Sequence, residues 1–263
     1  MCHENCPAPV RGGAGIVEEE PAVPGADLAL PSFFVRPERH APVPAVLVVH
    51  DINGANDFYR DLARRLAGEG FAALLPDFFV REGPLAEPTR EAARERRDRL
   101  DQRRTVADIA AGIDWLRGQE ATTGKVGTIG FCMGGTFVLL AAARHPLPEA
   151  SVAFYGFPAT RPTARAPLVP LDEATDVRSP LLAFWGDADA AVGMENVAAY
   201  RSAMAAGDAR HEVVVYPGYP HGFLTFDPAS PHVEGSRDAW TRTLAFLRAE
   251  LGSTSAAPAG TGA

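Results

Sequence analysis

Hydrophobic positions along the chain switch repeatedly between two spacings. Ala45-Val46-Leu47-Val48-Val49 is an apolar run with no polar break, introduced by Pro42 and Pro44. A short, β-branched run of this kind predicts a central strand buried on both faces. Tyr59, Leu62, Ala63 and Leu66 then recur at helical spacing, with Gly68 and Gly70 marking the end, and residues 71–75 return to a strand closed by Pro76-Asp77. The spacing next predicts one helix over 89–118, whose second half buries Val106, Ile109, Ala110, Ile113 and Leu116.

Strands over 125–129, 150–155, 181–185 and 212–216 follow, with helices over 136–144, 194–206 and 238–251. Pro158, Pro162, Pro167 and Pro170 impose a loop between two of these strands. Residues 16–35 alternate weakly and are interrupted by prolines, which suits one or two edge strands. The outer stretches, 1–15 and 252–263, are rich in small and polar residues without periodicity and read as flexible tails. Strands alternating with helices predict an α/β class protein, a single domain over 16–251. Its sheet would be mainly parallel with helices on both faces. In such sheets ligands bind beyond the carboxyl ends of the strands, so the loops carrying Asp51, Cys132, Asp189 and His221 are the candidates for chemistry.

Composition narrows the setting. At 263 residues with 46% hydrophobic content the chain has enough apolar surface for an ordinary core, and a formal net charge of -8 argues against nucleic acid or an anionic membrane as the main partner. No apolar run approaches the roughly 18 residues a membrane span requires, and Glu18, Glu19 and Glu20 stand where a secretory signal would be apolar. A cytoplasmic location is expected. Three cysteines are too few for a disulfide framework; Cys2, His3 and Cys6 lack a second cluster to complete a zinc site, so no metal is expected.

Cys132 is the centre of the chemical reading. In Gly130-Phe131-Cys132-Met133-Gly134-Gly135 it falls where a buried strand turns into a helix, the context of a nucleophile elbow. A thiol at a helix start meets the positive end of the helix dipole, which favours the thiolate. A thiol nucleophile needs a base, and the base an orienting acid. The chain order of an α/β-hydrolase, nucleophile then acid then histidine, is met by Cys132, an aspartate in Gly186-Asp187-Ala188-Asp189, and His221. The usual spacing selects Asp189 and leaves Asp187 to the turn. Backbone N–H groups of Ile52 and Met133 are the expected oxyanion donors. His50, at the end of the central strand, either lines the pocket or hydrogen-bonds in the core.

These motifs, with Val48-Val49-His50-Asp51-Ile52-Asn53-Gly54, the Pro76-Asp77 strand end and His221-Gly222-Phe223, make residues 35–251 resemble the dienelactone hydrolase (carboxymethylenebutenolidase) family. The resemblance implies a cofactor-free hydrolase opening a lactone or activated ester through an acyl-thiol intermediate, with a small-molecule substrate, as a monomer or small homo-oligomer. It also implies that Asp51, in place of a longer glutamate, partners Cys132 in the resting state. Of the family's two carboxylate-binding arginines, one corresponds to Arg90; the other position is Thr225. The rest of the 90–104 run interleaves Arg with Glu91, Glu95, Asp98 and Asp101, the pattern of a solvated helix with surface ion pairs. Two other readings keep the same scaffold: a catalytically idle fold binding a small ligand, and a thiol redox sensor.

Overall fold

The computed structural model describes residues 15–39, 41–145 and 147–252. The readings made for the two tails, and the Cys2, His3 and Cys6 group, fall outside the described residues except at Gly15 and Gly252. In chain order the elements are β1 (Ile16–Glu19), β2 (Ala22–Pro24), β3 (Ala29–Pro37), β4 (Val43–Val49), α1 (Asp57–Gly68), β5 (Ala72–Pro76), α2 (Arg90–Arg99), α3 (Gln102–Arg117), β6 (Thr122–Phe131) and α4 (Met133–Ala141). Then come β7 (Ala150–Phe154), a 3-10 turn (Pro170–Asp176), β8 (Leu181–Gly186), α5 (Met194–Met204), β9 (His211–Tyr216) and α6 (Val233–Leu251).

One sheet organises them, in the order β1-β3-β5-β4-β6-β7-β8-β9, with β2 added to β3. From β5 to β9 every pairing is parallel; β3 joins antiparallel to β5 and to β1. Every residue of β4, β5, β7 and β8 is buried, as expected of parallel strands covered by helices on both faces. Phe131, Phe154 and Phe184 stand side by side on β6, β7 and β8, their rings stacked at centroid separations of 5.0 and 4.7 Å. This aromatic row lies at the carboxyl ends of the strands, directly beneath the residue that follows Phe131, which is Cys132.

Three expectations are corrected. The 16–35 region forms three strands, and β3 is internal to the sheet because both its backbone edges are paired. The single helix over 89–118 is broken at Leu100, whose backbone is extended (φ -65°, ψ 137°) and whose side chain turns inward. Asp101 starts the second helix by accepting the Arg104 N–H at 3.0 Å, a capping signal hidden within the charged run. The last helix begins at Val233, five residues before the periodic stripe, and ends at Leu251 as expected, capped by Gly252 in the left-handed conformation that favours glycine.

A buried ion pair ties the antiparallel margin to the helical layer. Asp108 on α3 is fully buried; it accepts the Ala26 N–H at 2.7 Å and two Arg81 N–H groups at 2.6 and 3.1 Å. Among the described residues no helix is long and apolar enough to cross a membrane, and no group of three His, Cys, Asp or Glu side chains is placed to hold a metal ion. Removing Asp108 leaves the Ala26 N–H without its acceptor and Arg81 paired with Asp27 alone. Asp108→Ala is therefore expected to cost about 3 kcal/mol of unfolding free energy, measured by urea titration; a loss below about 1 kcal/mol would show that the pair is incidental.

Candidate active site

The β6–α4 connection is a tight bend at Cys132. Cys132 adopts φ 55°, ψ -115°, one of two non-glycine residues described with positive φ. Such a conformation costs on the order of 1–3 kcal/mol and persists only where the surroundings enforce it. They do so here through the Cys132 N–H, which donates to Phe154 O at 3.0 Å, and the Cys132 carbonyl, which accepts the Thr136 N–H at 3.0 Å. Close approach completes the constraint: a Cβ on Gly134 would lie 2.1 Å from the Val49 carbonyl oxygen. Only glycine lets the first turn of α4 rest against the end of β4.

That contact draws the loop carrying Ile52 towards the helix start that carries Met133. Both line a cavity of about 760 Å³ together with Cys132, Thr136, Phe157 and His221. Met133 is the first residue of α4, so its N–H has no partner one turn back in the helix. The carbonyl of Ile52 accepts a hydrogen bond from Arg96 Nη2 at 3.0 Å, and the Asp51 carbonyl accepts both the Gly54 N–H at 3.1 Å and a bond from the His50 ring at 2.8 Å. The loop after β4 is thereby held in one shape.

His221 reaches the same cavity from the loop after β9. Its Nδ1 lies 2.6 Å from Asp189 Oδ2, and because a carboxylate only accepts, Nδ1 carries a proton. The other Asp189 oxygen accepts the Ala191 and Val192 N–H groups at 3.1 and 3.2 Å, so the whole carboxylate is fixed. Asp187 has a different task, accepting the Gly218 N–H at 2.5 Å and holding the histidine loop against the end of β8. Gly186 permits that approach: a Cβ there would stand 2.0 Å from the Tyr219 carbonyl oxygen. Tyr155 packs edge-on against the imidazole at 5.1 Å and Phe157 at 5.3 Å, leaving the Asp189–His221 pair between aromatic walls.

The remaining sequence candidates take distinct positions. Asp51 is fully buried behind the cavity, where its Oδ1 accepts the Asn53 N–H at 2.8 Å. The phenol of Tyr59 registers it: burial foremost, and then the nearby charge of Asp51, push that phenol well above its ordinary value, with smaller contributions from Tyr155 and Cys132. Arg90 lies on the cavity wall and is solvent-exposed.

Sequence comparison matches residues 30–251 to the dienelactone hydrolase family. A carboxymethylenebutenolidase of Rhodococcus opacus is 33% identical over 254 residues, covering 95% of this chain and 98% of its own length. The chain belongs to the dienelactone hydrolase family. A crystal structure from Klebsiella pneumoniae subsp. pneumoniae, provisionally named a dienelactone hydrolase, superposes with a TM-score of 0.82 at 32% identity, covering 88% of this chain and 98% of that one. A dienelactone hydrolase-like promiscuous phosphotriesterase from metagenomic libraries is also similar, with a TM-score of 0.69 at 25% identity, over 90% of this chain and 99% of its own.

In this dienelactone hydrolase family member, one side chain that shapes the site escaped the sequence reading, and another had two alternatives open. Arg96 sits in the run read as a solvated helix, yet it is 5% exposed, stacks over Phe79 at 4.1 Å and donates to Ile52 O. Burial pushes its guanidinium below the ordinary value, while the charges of Asp77 and Asp51 favour the cation. Nothing in the spacing distinguishes it from its neighbours, because the loop it grips lies 44 residues away. His50 resolves to the core alternative: its Nε2 accepts the Phe78 N–H at 3.1 Å, so Nδ1–H donates to the Asp51 carbonyl.

Two predictions follow from these contacts. Arg96→Ala frees the Ile52 peptide to rotate, and is expected to lower kcat about tenfold while KM moves less than about twofold; parallel losses in both constants would mean a general loosening of the site. Burial pulls the His50 titration down from 6.5 to about 4, so the unfolded chain takes up a proton that the folded one refuses. This contribution to stability is complete above about pH 6.5 and is lost as pH falls towards 4. His50→Gln should lower the urea midpoint at neutral pH and flatten its decline across that window; an unchanged slope would assign the acid sensitivity to other groups.

Proposed function

We propose that the protein is a cysteine-dependent hydrolase of a lactone or activated ester, working through an acyl-thiol intermediate without a cofactor. The observation that carries this reading is that a strained cysteine and an aspartate-held imidazole open onto one cavity. Ile52 and Met133, which line the same cavity, would supply main-chain donors to the oxyanion.

In this mechanism His221 Nε2 takes the Cys132 thiol proton, and the sulfur attacks the carbonyl carbon of the substrate. The carbonyl electron pair moves onto oxygen, where the Ile52 and Met133 N–H groups stabilise the charge. As the carbonyl reforms, the C–O bond of the ester breaks and the leaving alkoxide takes the proton from His221; in a lactone this opens the ring and both products stay on one molecule. Water then gives a proton to His221 and attacks the thioester, releasing the acid and restoring the thiol. Asp189 keeps Nδ1 protonated and stabilises the imidazolium at each stage. Between turnovers Asp51, fully buried in the loop after β4, partners the thiol.

The membership of a hydrolase family favours this over an idle scaffold or a redox sensor. Rapid acid quench during turnover of an activated ester should yield protein heavier by one acyl group on Cys132, seen by intact mass and peptide mapping. Cys132→Ala is expected to lose about 10³-fold or more in kcat with its fold retained by circular dichroism. Wild-type turnover in that variant would overturn the assignment.

A further inference from the structure

The mouth of the cavity carries more positive charge than one carboxylate requires. Arg90, Arg94, Arg97, Arg161 and Arg165 all line it, and among the described residues the sole acidic side chain lining it is Asp98. Asp98 is already engaged, because Arg97 Nε and Nη2 donate to its Oδ1 at 2.8 and 2.6 Å. Arg165 spends a donor on the Arg99 carbonyl at 3.0 Å. Arg90, Arg94 and Arg161 make no ion pair among the described residues. On a chain with formal charge -8, three unpaired guanidinium groups around one opening repel one another and attract an anion.

The arginines come from two separate segments, and those segments are fastened together. Arg90 and Arg94 project from α2; Arg161 belongs to the loop after β7. Gln102, just beyond α2, donates to Leu168 O at 2.9 Å and accepts the Leu168 N–H at 2.7 Å, while its own N–H donates to Arg165 O at 2.8 Å. The loop therefore holds a fixed relation to the helix, and the charges form a preset wall. Guanidinium forks suit carboxylate and phosphate oxygens. Arg90 alone answers a single carboxylate, which leaves Arg94 and Arg161 without an explanation.

We propose that Arg94 and Arg161 form a second anion-recognition site at the cavity mouth, selecting acyl substrates whose non-reacting end carries at least two negative charges, from carboxylates or a phosphate. The inference rests on the hydrolase reading for the word substrate, and on the charge arrangement alone for the anion site. It is tested by two measurements on wild type, the Arg94→Gln/Arg161→Gln double variant, and Arg201→Gln, which does not line the cavity.

The first compares kcat/KM for 4-nitrophenyl esters of butyrate, glutarate and tricarballylate, which leave no, one and two free carboxylates. The dianionic ester should exceed the monoanionic one about tenfold in wild type and Arg201→Gln, the ratio falling towards one in the double variant and at high salt. The second titrates benzoate, phthalate and phenyl phosphate calorimetrically; at least one dianion should bind about tenfold tighter than benzoate, and which one separates the carboxylate source from the phosphate source. Equal binding of all three, or a preference that survives the double substitution, overturns the anion site. Absence of any ester turnover with the binding preference intact overturns the hydrolase reading and leaves the anion site standing. Cys132-dependent turnover indifferent to charge does the reverse.

Discussion

Backbone contact between the first turn of α4 and the end of β4 is the constraint from which the site follows. It exists because Gly134 presents no Cβ to the Val49 carbonyl, and it draws two chain segments about eighty residues apart to within one peptide's reach of each other. The strained conformation of Cys132 is the other side of the same contact. A relaxed residue at 132 would carry the helix away from β4, separating Ile52 from Met133. The strain is offset by the surrounding core, where the stacked Phe131, Phe154 and Phe184 leave the turn no softer direction in which to move.

Each loop around the cavity is held by hydrogen bonds, most of them from groups that do not line it. His50 and Arg96 grip the two carbonyls of the β4 loop, Asp187 and Gly186 seat the histidine loop, and Gln102 fastens the arginine-bearing loop to the helices. Buried donors and acceptors are costly to leave unpaired, so these contacts resist small displacements more steeply than apolar packing would. The open face of the cavity can then be lined by side chains chosen for chemistry. Its floor is sulfur, imidazole and aromatic rings; its rim is arginine.

That division also separates charge from stability. Asp108 with Arg81, and Asp189 with His221, are paired inside the protein and shielded from salt. Of the rim arginines, Arg90, Arg94 and Arg161 are exposed and make no ion pair among the described residues, which leaves them available to a ligand. An acidic chain thus concentrates uncompensated positive charge at its one large opening described beside the candidate nucleophile.

Period and punctuation in the sequence determined the α/β class, the parallel strands from β4 to β9, and the placement of Asp51, Cys132, Asp189 and His221 at strand ends. Those features depend on contacts a few residues apart, where spacing carries the information directly. The break at Leu100 was hidden because the same mixture of arginine and acidic residues runs through both sides of it, and only the inward turn of one leucine and the cap at Asp101 divide them. Tertiary structure alone decided that β3 is internal, that Arg96 is buried while Arg94 faces the cavity, and that His50 serves the core. Each of these depends on which distant backbone group lies opposite a side chain. Neighbouring positions in one helix look alike in sequence, and become different only when another part of the chain packs against one of them.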